Sequence, residues 1–331
     1  MPAFEFILGT ILLGLCAAGG LAWLSSFAVL AAGGTLLPTM ARRLVPWGFF
    51  DILLLIAVFI VATFTAVFLF MAGHDGENLT PAAAEGMLIG DAISKLITLA
   101  VMTVFFVFVR KADSVDQGWT LGPNWRNIPL GFITFVMLAP IVFAIQAALV
   151  KLGGWESKHP LIELVTEQKN VTIFALAGFA TVIVAPLTEE WLFRVVLQGW
   201  LEKAFSRQAT TAEILGVPES PPAIATANEP MMQAEIANPY ETPRAANDVV
   251  PPPAQEAPPV SPLRTWAPIA ISSAFFALAH LGHGPDFIPL FIFAVGLGLV
   301  YQRTHSIVPS LIVHACLNAL SMAILGANVF K

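Results

Sequence analysis

Charge is scarce in this chain. Only 11% of its 331 residues are Asp, Glu, Lys or Arg, against 57% apolar, where a soluble domain carries roughly 25% charged residues. That shortage excludes an ordinary soluble fold, and a mean hydropathy of +0.78 points to a polytopic membrane protein. Basic residues are outnumbered, 16 Lys and Arg to 22 Asp and Glu, and form no stripe, so nucleic acid is not an expected partner. Cysteine is nearly absent. Cys16 and Cys316 both sit in apolar runs, which excludes a disulfide framework and a cysteine-type zinc cluster. The amino terminus carries Glu5 and no Lys or Arg before the apolar run, so it lacks the basic region of a cleaved signal peptide and is expected to be the first span.

Long apolar runs are what the chain has in abundance. Those near 4–33, 50–72, 86–109, 127–150, 171–202, 265–281, 286–302 and 306–328 predict an all-α bundle of about eight transmembrane helices. The sixth and seventh are short and separated only by Gly282-His283-Gly284-Pro285, so they also fit one broken pair. With the amino terminus outside, Arg42, Arg43, Arg110, Lys111, Arg126, Lys203, Arg207, Arg244, Arg264 and Arg303 are cytoplasmic. Lys151, Lys158, Lys169 and Lys331 lie on the other side. Ten against four places both termini outside. Trp47, Trp119, Trp125, Trp155 and Trp266 fall near span ends, as interfacial aromatics do. His159 to Asn170 alternates at helical spacing and predicts an interfacial helix.

Residues 208–263 break the apolar pattern with Pro218, Pro221, Pro222, Pro251-Pro252-Pro253 and Pro258-Pro259. Such a segment lacks the apolar residues to bury a core and is expected to be a disordered cytoplasmic insertion. The organisation follows: amino-terminal spans over 1–170, a first core part over 171–207, the linker over 208–263 and a second core part over 264–331.

The chemistry concentrates in Thr188-Glu189-Glu190-Trp191-Leu192-Phe193-Arg194, inside a span. Ionisable groups at bilayer depth cost at least a few kcal/mol and mark working sites or packed charge networks. Glu190 and Arg194 are four apart with the acid first, the favourable order for a same-face pair. Glu189 lies about 100° round the helix, free to present its carboxylate to a cavity as a general base. Pro186 weakens the backbone ladder just before it. Later spans add Phe276 with His280 and His314 with Asn318, each pair four apart. A carboxylate and an imidazole can activate water, and a second imidazole with an amide can stabilise an oxyanion. On straight helices His314 falls about 12 Å into its span while His280 sits near the far end of a short one, so convergence requires tilted or broken helices. Asp91 and Lys95, also four apart, are expected to form a structural ion pair outside the site.

Glu-Glu-x-x-x-Arg, then Phe-x-x-x-His, then His-x-x-x-Asn, in that order on separate spans, resembles the CAAX protease and bacteriocin-processing family of intramembrane endopeptidases. That family includes the type II CAAX prenyl endopeptidases and bacterial relatives often labelled self-immunity proteins. The resemblance covers about 170–325 and implies that Glu189 and His280 activate water while His314 and Asn318 hold the oxyanion. It also implies that Glu190, Arg194 and Phe276 support the site. The Pro-rich insertion between the first two motifs is longer than the family pattern. His283, three residues after His280, reads as a capping or interfacial residue, with a metal-ligand role as the alternative.

The expected protein is a multi-pass membrane endopeptidase, in the plasma membrane of a bacterium, acting on membrane-tethered or prenylated-type peptides. Its polar cavity is expected to open toward the cytoplasm. The spacing lacks the His-Glu-x-x-His pair that presets two zinc ligands, which argues for a metal-free mechanism; the alternative is zinc held by Glu189, His280 and His314. Other classes consistent with intramembrane ionisable groups are a non-catalytic scaffold that binds partner helices and a proton-coupled transporter. The paired broken helices and internal repeat expected of many transporters are not evident.

Overall fold

The computed structural model describes residues 2–37, 43–71, 80–154, 159–206, 208–218 and 261–330, and among them every regular element is helical. In chain order these are α1 (Pro2–Ala31), α2 (Phe49–Met71), α3 (Pro81–Phe108), α4 (Asn127–Gly153), α5 (Pro160–Gln168), α6 (Val171–Ala204), α7 (Thr211–Leu215), α8 (Pro262–Leu278), α9 (Phe287–Thr304) and α10 (Ile307–Val329). Short 3-10 turns precede α4 and α9.

Among the described residues, seven helices are long and apolar enough to cross a membrane. The sixth expected span, α8, has 17 residues, about 25 Å of rise against a hydrocarbon core near 30 Å. It is followed by the turn Leu281–His283 before α9 begins. The side chain of His283, with Trp155 and the linker residues 219–260, lies outside the described residues.

Helix starts follow local capping chemistry. Thr80 accepts from the Ala83 amide ahead of Pro81, Asn170 accepts from Thr172 and Ile173, and Ser306 accepts from Val308. The predicted interfacial helix is α5, capped by His159 Nδ1, which accepts from the Leu161 amide.

The bundle has two ends. One carries the connections 32–48, 109–126, 205–261 and 305–306; the other carries 72–80, 154–170 and 279–286. At the first end Trp47, Phe106, Trp191, Val195 and Tyr301 form a closed apolar cluster, with Trp47 stacked on Phe106 at 4.7 Å. Trp47 is therefore not an interfacial anchor. It is fully buried, and its indole N–H donates to the Val196 carbonyl, a burial that span boundaries do not reveal. Trp119, Trp125 and Trp266 are exposed, as expected. A second cluster surrounds Phe276, Phe293 and Val313, and a third, toward the other end, joins Leu88, Ile173 and Met322.

The stretch assigned to the insertion opens with ordered residues. α7 has a capping box between Thr210 and Glu213, and Gly216 ends it at φ +79°. Arg110 joins it to the bundle, donating to Asp51 Oδ1 at 3.0 and 2.7 Å and to the Gly216 carbonyl at 2.7 Å. The Trp200 indole donates to the Ile214 carbonyl at 2.8 Å. The first described residues of the insertion, 208–218, thus belong to the folded body, docked by polar contacts that an apolar-period search does not register.

Candidate active site

The site is built on a distortion in α6. Its backbone is π-helical over Ala180–Val184 and again over Trp191–Gln198, on either side of Ala185–Glu190. Single π-turns of this kind recur at functional sites. In the first, the Ala185 amide donates to Ala180, five residues back. Continuing that register would ask residue 186 to donate to the Thr181 carbonyl, but it is Pro186 and has no N–H. Asn318 Nδ2, from α10, donates to the Thr181 carbonyl at 2.8 Å instead. A carbonyl that loses its helical donor needs another partner, and here it comes from another helix. One of the two Asn318 donors is thereby committed to backbone support.

One turn on, the charges form a compact knot. Arg194 Nε donates to Glu190 Oε2 at 3.2 Å, and both side chains are fully buried. This is the pair their spacing predicts. The ring of His314, from α10, stands between the two glutamates, with Nδ1 2.9 Å from Glu190 Oε1 and Nε2 4.0 Å from Glu189 Oε2. Because a carboxylate only accepts, the Nδ1 hydrogen is on the ring. Glu189 keeps 23% of its side chain exposed. Arg194 is further held by Ser272 Oγ at 3.5 Å and by the Phe276 ring, 5.5 Å from its Cζ. Gly298 lets α9 approach, since a Cβ there would lie 2.9 Å from Gln198 Oε1 and 3.5 Å from Arg194 Nη1.

His280 lies just past the end of α8. Its Nδ1 donates to the Phe276 carbonyl at 2.8 Å, one of the acceptors a helix end leaves over. In the neutral ring the lone pair then sits on Nε2. Phe276 bridges the depth gap between the histidines, its centroid 5.0 Å from His280 and 5.8 Å from His314.

Glu189, Phe276, His280, His314 and Asn318 all line one cavity of about 810 Å³. Glu190 and Arg194 stand behind its wall. Asp91 and Lys95 form the predicted ion pair at 2.8 Å, but they line this same cavity instead of lying outside it. Gln146 and Asp286, joined by a hydrogen bond of 2.5 Å, line it too. Gln146, in α4, and Asp286, just before α9, belong to none of the spaced motifs, and the spacing of Asp91 and Lys95 does not say which way α3 faces. The usable signal was an ionisable pair inside a span. Among the described residues no three His, Cys, Asp or Glu side chains converge as metal ligands. Glu189, His280 and His314 share the cavity without forming such a set, and one His314 nitrogen is already taken by Glu190.

The cavity's lining also separates two expectations, an opening toward the cytoplasm and a cytoplasmic insertion. Its lining reaches His159 and Ile162 of α5 and Asp286, at the end of the bundle opposite the insertion. Cavity and insertion therefore do not open on the same side, a relation that needs helix depth and not only motif order.

Residues 171–217 and 256–320 match the family model described as type II CAAX prenyl endopeptidase Rce1-like. No curated protein and no solved structure matches the chain. The matched segments span α6 to α9 and most of α10, and include the helices that bring the acids, the arginine, the two histidines and the amide to one cavity. Over these segments the chain is similar to the type II CAAX prenyl endopeptidase Rce1-like family.

Proposed function

We propose that the chain is an intramembrane endopeptidase that hydrolyses a peptide bond of a membrane-tethered or prenylated-type polypeptide, with Glu189 as general base. The observation that carries this reading is the division of labour between the two acids. Glu190 is sealed against Arg194 and His314, while Glu189 faces the cavity with His314 Nε2 4.0 Å away.

In this mechanism Glu189 takes a proton from a water as its oxygen attacks the scissile carbonyl, and His280, with its lone pair on Nε2, helps orient that water. The tetrahedral oxyanion accepts hydrogen bonds from the second Asn318 N–H and from His314 when Nε2 also bears a proton. The proton held by Glu189 passes to the leaving nitrogen and the C–N bond breaks. Preorganised donors of this kind are worth roughly 10²–10³ in rate each. Glu190, Arg194 and Phe276 act through His314, fixing its ring.

The test is cleavage of a library of membrane-tethered peptides, prenylated and not, by the purified protein in lipid. Peptide cleavage that disappears in Glu189→Gln supports the reading. A folded wild-type protein that cleaves no member, or a Glu189→Gln variant with full activity, overturns it.

A further inference from the structure

The cavity is closed at the insertion end of the bundle, and its lining extends to the other end. Glu189 lies 18 residues into α6, about 27 Å along its axis, near the middle of the helix. Beyond it, toward the insertion, stand Trp47, Phe106, Trp191, Val195 and Tyr301, none more than 2% exposed. Among the described residues, no part of the lining comes from the connections at that end. In the other direction the lining continues to Ile162 of α5 and to Asp286, both in or beside the connections opposite the insertion. Among the described residues, the lining thus leads to Glu189 from the end without the insertion and from the same half of the bilayer, and not from the insertion end.

The cations say which end that is. Among the described residues, Arg43, Arg110, Lys111, Arg126, Lys203, Arg264 and Arg303 flank helix termini at the insertion end, and Lys151 and Lys169 do so at the cavity end. Seven against two, all in or next to short connections, is the bias that places the insertion end in the cytoplasm. Acidic residues contribute little to this rule, so Asp286 and Glu163 near the mouth do not offset it.

We propose that the catalytic cavity is served from the extracytoplasmic face, and that its substrate is a membrane-tethered polypeptide whose cleavable segment lies on that face or in the outer half of the bilayer. The substrate class rests on the endopeptidase reading; the sidedness does not. A lipidated tail confined to the cytoplasm has no path to Glu189 past the aromatic plug. An exported segment anchored by a transmembrane helix or a lipid enters beside α5.

The experiment is sided cysteine labelling of the full chain, expressed in a bacterial inner membrane, with Cys16 and Cys316 replaced by Ala. Ile162→Cys reports the cavity mouth, where the native side chain is 41% exposed, and Val217→Cys, 39% exposed, reports the insertion end. Glu163→Cys is a second mouth position should the first variant fail to insert. A membrane-impermeant maleimide is expected to modify the mouth cysteine in intact cells and the Val217 cysteine only after permeabilisation. The reverse pattern, or a mouth cysteine that does not react in intact cells, overturns the proposal. Labelling needs no turnover, so a wrong side leaves the endopeptidase reading standing, and an inactive protein with the expected labelling sinks only the latter.

Discussion

His314 Nδ1 lies 2.9 Å from Glu190 Oε1 while Nε2 of the same ring stands 4.0 Å from Glu189 Oε2, so one imidazole separates a buried carboxylate from an accessible one. The two adjacent acids are unequal for this reason. Glu190 is occupied on both oxygens, by Arg194 and His314, whereas Glu189 opens on the cavity.

Glu189→Gln is expected to lower peptide cleavage by at least about 10²-fold, the low end for loss of a general base, with the unfolding midpoint unchanged. Glu190→Gln should lose activity and stability together. It leaves Arg194 buried without its counter-charge, a defect of roughly 3–5 kcal/mol. Cleavage kinetics and thermal unfolding in the same detergent check both.

Asn318 and Pro186 should be coupled. Asn318→Ala strips the Thr181 carbonyl of its donor and is expected to cost about 1–3 kcal/mol. In the Pro186→Ala background a backbone N–H becomes available in the π-register, so the same substitution should cost less. Additive effects in a double-mutant cycle of unfolding free energies would remove the capping role assigned here.

The first turn of the insertion should be held by Gly48 and Arg110. A Cβ at Gly48 would lie 2.1 Å from the Gly216 amide nitrogen, so Gly48→Ala is expected to lift 208–218 off the bundle. Arg110→Met leaves Asp51, 3% exposed, without its counter-charge, with only the Gly48 amide still donating to it. Both variants should be cut faster near α7 by limited proteolysis, the second with a loss of roughly 3–5 kcal/mol.

Chelation is expected to leave cleavage intact, because the proposed mechanism draws on Glu189, His280, His314 and Asn318 alone. Activity lost on chelation and restored by stoichiometric zinc would transfer His314 from oxyanion donor to ligand.

The membrane class, the helical fold and the pairing of Glu190 with Arg194 were legible in the order of residues, because apolar run length and a four-residue spacing act within a single helix. The three ordered motifs also sufficed to nominate Glu189, His280, His314 and Asn318. What no single helix contains is decided between helices. The capping of Thr181 by Asn318 depends on a π-turn of α6 meeting α10. The presence of Asp91 and Lys95 in the cavity wall depends on which face α3 turns inward. The burial of Trp47 depends on Phe106 and Val196, 59 and 149 positions away. The end at which the cavity opens required depth as well as order, since it follows from where an aromatic plug closes the bundle relative to a carboxylate near its middle.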